Sequence, residues 1–352
     1  MPNHTPLGGL LYSIGGLAFQ GVVRLRNRMY DLCLLPQARL SQPVISIGNL
    51  TVGGSGKTPF VIHVARTISD MGPVPALLSR GYRRGGKKPV ILAPGAPIPN
   101  PALTLGDEPA LVRRHQGRLW LGIWSKRYSA GLQISRRAQR LCFLLDDGFQ
   151  HRHLKRDMDL VVIDRSQPLE ENRMLPAGTL REPLAGLRRA DLVVINGQYQ
   201  GDGEDPIESF VHRISAHVPV FHCQQRIECF VRFTEWKNQS PDNDCIACPT
   251  SAFLVAAIGN PDRFRKDVEA SGVAIAGTRF FRDHFRLRES DWTDCMAEAR
   301  ARGAASVITT EKDAVKLTGD PDEHLLVAVQ STLLEEQAEF ERMLDTIFRS
   351  YW

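Results

Sequence analysis

The chain has 352 residues and a formal net charge of +5, and 43% of its residues are hydrophobic. This composition is that of a globular protein, long enough to bury the cores of two domains, and it excludes a disordered chain. The seven cysteines are scattered and odd in number, which favours a reducing compartment over a disulfide framework. Cys245 and Cys248 lack further ligands at the spacing of a zinc ribbon, so we interpret them as unligated thiols.

The first 30 residues are predicted to form a membrane-associated helix. Residues 7–23 are apolar and glycine-rich, and no cleavable signal precedes them. These seventeen residues would span about 25 Å as a helix, short of a hydrocarbon core of about 30 Å. Since Arg24, Arg26 and Arg28 follow, we expect the segment to lie on or dip into an anionic leaflet. The alternative is a soluble helix that caps the core.

A glycine-rich loop follows the first predicted strand, residues 44–47. Its glycines let several N–H groups point at one phosphate chain, and the predicted helix over residues 60–71 adds its positive N-terminal end. The lysine and threonine that close the loop can reach the terminal phosphates and ligate magnesium. A turn that only connects strand and helix is the alternative. The residues predicted to bind a nucleoside triphosphate are Thr51, Val52, Gly53, Gly54, Ser55, Gly56, Lys57 and Thr58.

Short apolar strands then alternate with helices, which indicates a doubly wound, mostly parallel α/β sheet of the P-loop NTPase kind. The buried strands are predicted at residues 76–78, 90–92, 120–123, 141–145, 160–163 and 191–195. A polar linker at 198–206 precedes a second, smaller α/β lobe. The predicted divisions are the membrane-associated helix (1–30), the P-loop domain (31–205) and the C-terminal lobe (206–352).

Two pairs of adjacent carboxylates are candidates for chemistry. Asp146 and Asp147 follow five apolar residues, as in a Walker B element that holds magnesium beside a P-loop strand. Asp107 could orient an acceptor hydroxyl and accept its proton, and Glu108 could bind magnesium. A tight turn after Asp147 and a helix N-cap at Asp107 are the alternatives, and the residue types alone leave the role of Asp107 open.

The C-terminal lobe carries two further polar motifs. His284 follows Asp283, and a carboxylate can tune or orient an imidazole, although a structural histidine is the alternative. Residues 309–313 follow a strand and could touch a nucleotide, although a helix N-cap at Thr310 explains them as well.

Taken in order, the motifs resemble those of one family, the tetraacyldisaccharide 4′-kinases (lipid A 4′-kinases) of Gram-negative bacteria. The matching segments are residues 46–59, 78–83, 106–109, 145–151, 175–178, 180–183, 258–261, 283–284 and 310–313. Several are weak alone, but together they cover nearly the whole chain. Thr51 stands where the usual P-loop has its first glycine, and this family's loop looks the same there.

The resemblance implies transfer of the γ-phosphate of ATP, with Mg²⁺, to the 4′-hydroxyl of a tetraacyldisaccharide 1-phosphate. The product would be lipid IVA, a lipid A precursor, made at the cytoplasmic face of the inner membrane. The implied catalytic residues are Asp107 as base, His284 as its partner and Lys57. The implied metal ligands are Thr58, Asp146, Asp147 and Glu108, and those near the disaccharide and its phosphate are Arg80, Tyr82, Arg127, Gln150 and His151.

One residue departs from the family pattern, and the phosphate loop by itself also fits other classes of protein. The family often has a second histidine after Asp-His, where this chain has Phe285. The P-loop alone also fits a GTPase or metal-insertion chaperone, suggested by Cys245 and Cys248, or a nucleotide-dependent switch at the membrane. Basic residues cluster at 24–28 and 80–88, but no recognisable nucleic-acid module accompanies them, so we expect no nucleic-acid partner. The oligomeric state is left open. We expect the two lobes to close around ATP and bring His284 toward Asp107.

Overall fold

A computed structural model describes residues 6–54, 56–82, 84–167, 169–170, 172–238, 245–317, 319 and 324–352, with side chains from residue 12 onward. The strands are β1 (Val44–Gly48), β2 (Val74–Ser79), β3 (Val90–Leu92), β4 (Trp120–Ile123), β5 (Leu141–Asp146), β6 (Met158–Asp164), β7 (Leu192–Asn196), β8 (Val220–Arg232), β9 (Ser251–Ala256), β10 (Ala274–Phe280), β11 (Ser306–Thr310) and β12 (Leu325–Leu334). The α-helices are α1 (Pro6–Asp31), α2 (Lys57–Asp70), α3 (Pro101–Leu105), α4 (Asp107–His115), α5 (Arg127–Ser135), α6 (Pro206–Ile214), α7 (Phe233–Asn238), α8 (Pro261–Ala270), α9 (Glu289–Ala301), α10 (Glu311–Ala314) and α11 (Gln337–Arg349), and Leu184–Arg189 forms a 3₁₀ helix.

The strands form one twelve-stranded sheet in the order β10-β9-β11-β12-β8-β7-β6-β1-β5-β2-β4-β3. Neighbouring strands run parallel except for the pairs β3–β4 and β8–β12, which are antiparallel. Strands β1, β5, β6 and β7 are buried along their whole length, as expected where helices cover both faces of a parallel sheet. The predicted α/β fold with a large, mostly parallel sheet is confirmed.

Strand β8 joins the two parts of the sheet. Its first residues pair in parallel with β7, and its remainder pairs antiparallel with β12. The sheet therefore continues past the boundary predicted between residues 205 and 206, and that division into lobes stays a prediction. Below, residues 31–205 are called the P-loop half and residues 206–352 the C-terminal half.

Two helices begin earlier than their hydrophobic pattern predicts. Helix α2 starts at Lys57, directly after Gly56, whose φ of 72° lies in the left-handed region that glycine adopts without strain. Helix α4 starts at Asp107 because Pro109 is tolerated in a first turn, where its missing N–H costs no hydrogen bond. Both corrections place a candidate functional residue at a helix N-terminus.

Helix α1 has a docked face and an exposed face. Gly16 and Val23 are buried, and the Asn27 side chain donates to Glu182 at 2.6 Å. The opposite face exposes Leu17 and Leu25, at 68% and 63%. Among the described residues, no helix combines the length and apolar character needed to cross a bilayer.

Candidate active site

The glycine-rich loop between β1 and α2 lines a cavity that the C-terminal half closes from the other side. Gly53, like Gly56, has a positive φ, of 112°. Gln225 of β8 donates a hydrogen bond to the Gly56 carbonyl at 2.8 Å, so the shared strand holds the end of the loop. The residues around this cavity include Gly53, Gly54, Gly56, Lys57, Thr58 and Glu108 from the P-loop half, and Gly259, Asn260, Arg263, Phe264, Asp267 and Lys312 from the C-terminal half.

The first residues of the predicted phosphate loop lie outside the cavity lining. The Thr51 hydroxyl donates to the Gln167 side chain at 2.9 Å, and the Val52 N–H donates to the Thr179 carbonyl at 2.8 Å. The Thr51 hydroxyl and the Val52 N–H are therefore both hydrogen-bonded within the P-loop half. Ser55 lies outside the described residues.

Asp146 ends β5 beside the loop, as predicted for a Walker B carboxylate. Its Oδ2 accepts a hydrogen bond from Ser79 at 2.9 Å, where β2 ends. Burial, together with the negative charges of Glu108 and Asp147, raises the pKa of Asp146 to about 7.

Asp147 has different partners. Arg181 donates two hydrogen bonds to its carboxylate, both of 2.7 Å, and Lys57 Nζ lies 3.5 Å away. Burial raises the pKa of Asp147, but Arg181 and Lys57 outweigh burial and hold it below its ordinary value. Asp147 is therefore an anion that fixes two cations beside the loop.

These carboxylates fit a bound magnesium ion. Burial is the main cause of the raised pKa of Asp146, and repulsion from Glu108 and Asp147 adds to it; a divalent cation would offset both effects. Mg²⁺ takes one or two protein carboxylates and completes its shell with phosphate oxygens and water, so the donors need not converge on one point. Asp146 suits direct ligation better than Asp147, because the Asp147 carboxylate is held by Arg181. Thr58, which lines the cavity, can add its hydroxyl.

Asp107 and His284 meet across the two halves. His284 Nδ1 lies 3.1 Å from Asp107 Oδ2, and an ionised carboxylate can only accept, so Nδ1 donates. Burial raises the pKa of Asp107, but His284, Lys316 and Lys312 lower it further, so the carboxyl is ionised at neutral pH. The residue at the N-cap position of α4 is Gly106, and Asp107 is the first residue of the helix. The Asp107 carboxylate therefore faces His284 and does not cap the helix.

The residues around this pair differ in exposure. The Tyr82 ring contacts the His284 ring edge-on with centroids 5.7 Å apart, and Tyr82 is 60% exposed. Arg80 is also exposed. Phe285 stacks on Phe281 at 5.1 Å between ring centroids, so the aromatic ring at the family's second histidine position serves packing.

The remaining predicted substrate residues carry buried polar atoms without partners among the described residues. These atoms are Arg127 Nε, Gln150 Oε1 and His151 Nε2. Gln150 Nε2 donates to the Asn49 carbonyl at 2.9 Å, and burial lowers the pKa of Arg127. Buried polar groups are normally paired, so unpaired ones at a proposed site are consistent with a polar ligand.

Sequence reasoning missed several residues that shape the site. Ser79 holds Asp146, Arg181 holds Asp147, and Gln225 holds the loop. Ser79 follows the rule that functional groups lie at the carboxyl ends of parallel strands, so its position was a usable signal. Arg181 lies in the motif segment 180–183, but its contact with Asp147 spans 34 residues and that of Gln225 with Gly56 spans 169, and no local pattern reveals either partner.

The geometry is that of a nucleotide-dependent phosphotransferase, and comparisons with known proteins agree with it. A family model described as tetraacyldisaccharide-1-P 4′-kinase matches residues 9–349. The chain is 35% identical over 326 residues to the tetraacyldisaccharide 4′-kinase of Pelodictyon phaeoclathratiforme, covering 91% of this chain and 89% of that protein. It is 36% identical to that of Geobacter metallireducens, over 87% of this chain and 88% of the relative.

A solved structure is similar over almost the whole fold. It is the "apo" form of LpxK from Aquifex aeolicus in complex with ATP, with a TM-score of 0.74 and 28% sequence identity. The match covers 95% of this chain and 97% of that one. With its P-loop cavity and a family match over nearly its whole length, this chain belongs to the tetraacyldisaccharide-1-P 4′-kinase family.

Proposed function

We propose that this protein transfers the γ-phosphate of ATP to the 4′-hydroxyl of a tetraacyldisaccharide 1-phosphate, giving lipid IVA in lipid A biosynthesis. Family membership supports the reaction and the acceptor. The observation that carries the chemistry is the Asp107–His284 pair, which lies next to Glu108 at the wall of the phosphate-loop cavity. The Aquifex structure with ATP supports the donor.

The phosphate loop and Lys57 bind and orient the triphosphate. Loop N–H groups and the N-terminus of α2 supply positive potential, and Lys57 is held beside the loop by Asp147. Mg²⁺, held by Thr58 and Asp146 with Glu108 nearby, would offset negative charge on the phosphates. Phosphoryl transfer needs chiefly such positioning and charge stabilisation.

Asp107 orients the acceptor hydroxyl and receives its proton. An ionised carboxylate accepts a hydrogen bond from the 4′-hydroxyl, and the proton moves to it as the new P–O bond forms and the bond to ADP breaks. His284 holds the carboxylate in place through Nδ1. A low pKa makes Asp107 a weak base, so its main contribution is to orient the hydroxyl, which becomes acidic enough to release its proton only as the new P–O bond forms.

The acceptor is expected on the side of Arg127, Gln150 and His151, with Arg80 and Tyr82 at the exposed rim. The buried unpaired atoms of the first three residues offer hydrogen bonds to sugar or phosphate oxygens. The exposed apolar face of α1 and the neighbouring arginines suit the cytoplasmic face of the inner membrane, where acyl chains would remain.

A direct assay tests this function. The full-length protein in detergent is offered γ-labelled ATP, Mg²⁺ and a tetraacyldisaccharide 1-phosphate, and labelled lipid is sought. Labelled lipid IVA is the expected product. Slow hydrolysis without a labelled lipid would contradict the kinase and favour a membrane switch, and a preference for GTP or stoichiometric metal on Cys245 and Cys248 would favour the chaperone.

A further inference from the structure

We propose that Lys312 of the C-terminal half contacts the terminal phosphate of the bound nucleotide, opposite Lys57. The proposal deepens the proposed function and rests on ATP being the donor. Lys312 lines the same cavity as Lys57 and Thr58 but reaches it from the other half of the sheet. A second cation there would act only when both halves surround the nucleotide.

The ammonium group of Lys312 lies beside the proposed catalytic pair, near the sequence neighbour of each member. Its Nζ is 3.4 Å from Asp283, the neighbour of His284, and 3.7 Å from Glu108, the neighbour of Asp107. Burial raises the pKa of Asp107, but His284 and the positive charges of Lys316 and Lys312 lower it by more. Lys312 therefore carries its positive charge at the cavity wall, next to the residues that precede His284 and follow Asp107.

The other charged residues of its motif are occupied by structural contacts. Glu311 accepts from Trp236 at 3.1 Å and lies 2.7 Å from His115 Nε2. Asp313 accepts from the Ala257 N–H at 2.9 Å, and the Thr310 hydroxyl caps α10. These contacts hold the backbone of the motif rigidly, so Lys312 is presented to the cavity from a fixed support.

The carboxylate partners of Lys312 are held loosely. Charge-assisted N–H···O bonds are about 2.7–2.9 Å long, and both contacts of Lys312 are longer. By contrast, Lys316, three residues after the motif, pairs with Asp313 at 2.5 Å, as a structural pair does. A lysine is a mobile point charge, so Lys312 can exchange these carboxylates for a phosphate oxygen as negative charge arrives.

The test compares two nucleotides that differ by one phosphate. Kd values for Mg–AMP-PNP and Mg–ADP are measured by calorimetry on the full-length protein in detergent, for the wild type, Lys312→Met, Lys312→Gln and Lys312→Arg. Lys266→Met is the control, because Lys266 is an exposed lysine of α8 in the same half. We expect Lys312→Met and Lys312→Gln to weaken AMP-PNP binding about 10- to 100-fold and ADP binding less than about threefold. Lys312→Arg should recover part of the loss.

Two outcomes would overturn the proposal. Equal weakening of both nucleotides would make Lys312 a latch between the halves, and unchanged AMP-PNP affinity would remove it from the phosphate site. Thermal melts check that each variant is folded, and the two neutral variants provide independent measurements. Since no acceptor lipid is present, the ratio tests Lys312 even where the lipid assay contradicts the proposed function.

Discussion

Asp146 and Asp147 are adjacent in sequence, yet their surroundings move their pKa values in opposite directions. Asp146 is buried near other carboxylates and has one hydroxyl donor, whereas Asp147 receives two hydrogen bonds from Arg181. The two carboxylates therefore differ both in their partners and in the direction of their pKa shifts. We therefore propose that Asp147 positions Arg181 and Lys57 and that Asp146 is the carboxylate a metal ion would stabilise most.

At the same scale, the Asp107–His284 pair predicts a strong and non-additive loss of activity. Asp107→Ala should lower kcat by about 10²- to 10⁴-fold, because no carboxylate would orient the hydroxyl. Adding His284→Ala to it should cost less than about threefold more, since both residues act as one unit. Steady-state kinetics with nucleotide Kd values check this, with exposed Asp262→Asn as control. Near-normal turnover of Asp107→Ala would remove Asp107 from the role of base.

His151 predicts a pH dependence of stability. Burial and the positive charge of Arg127 lower the pKa of His151 to about 3, whereas an unfolded histidine titrates near 6.5. The folded state therefore binds a proton at His151 less readily than the unfolded state. The contribution of neutral His151 to the free energy of unfolding is present above pH 6.5 and is lost as the pH falls from 6.5 toward 3. Between pH 7.5 and pH 5, wild type should lose about 1 kcal/mol more unfolding free energy than His151→Gln. Urea denaturation checks it, with exposed His217→Gln as control. Equal losses in wild type and His151→Gln would contradict the assignment.

At the scale of elements, helix α1 has two faces with different surroundings. Its docked face reaches the proposed acceptor site, because Arg26 donates to the Gln150 carbonyl at 3.0 Å and Asn27 donates to Glu182. Its other face exposes apolar side chains next to arginines. If the exposed face binds a membrane, as we propose, the helix would link that surface to the loop that carries Gln150 and His151.

The exposed face of α1 predicts membrane binding that point variants can remove. Leu17→Glu combined with Leu25→Glu should weaken binding to anionic vesicles more than tenfold, because each exposed leucine contributes about 1.5–3 kcal/mol when buried. Leu333→Glu is the matched control, since Leu333 of β12 is 46% exposed. Vesicle co-sedimentation measures the effect. Deletion of residues 1–28 should release the protein as well, and full retention would place the anchor elsewhere.

At the scale of the whole molecule, one of the contacts between the two halves depends on a glycine. A Cβ on Gly259 would lie 2.9 Å from the Gly54 nitrogen and 3.3 Å from Asp283 Oδ2. The contact joins the phosphate loop to the segment that carries His284. A side chain at residue 259 would therefore push the phosphate loop away from the segment that carries His284.

Gly259→Ala should accordingly lower kcat by about tenfold or more, while its unfolding free energy changes by less than about 1 kcal/mol. Gly117→Ala is the control, because a Cβ at Gly117 meets nothing within 4 Å. Kinetics and thermal melts measure both variants. A normal kcat for Gly259→Ala would show that the halves do not need this close approach.

The sequence by itself determined the parallel strands, the phosphate loop and the carboxylates at strand ends. Each of these depends on a local pattern: a buried apolar run, glycines that permit a turn, or a polar residue where a strand stops. Asp146 at the end of β5 is such a case. Family motifs added the roles, which the residue types had left open at Asp107 and His284.

Only the tertiary structure decided which of these residues meet. Asp107 and His284 are 177 residues apart in sequence and 3.1 Å apart in space, and β8 carries one sheet through both halves. Arg181 distinguishes Asp147 from Asp146, and Glu108 and Asp283 share Lys312. Such contacts depend on how distant strands are ordered in the sheet, and local hydrophobic periodicity contains no information about that order.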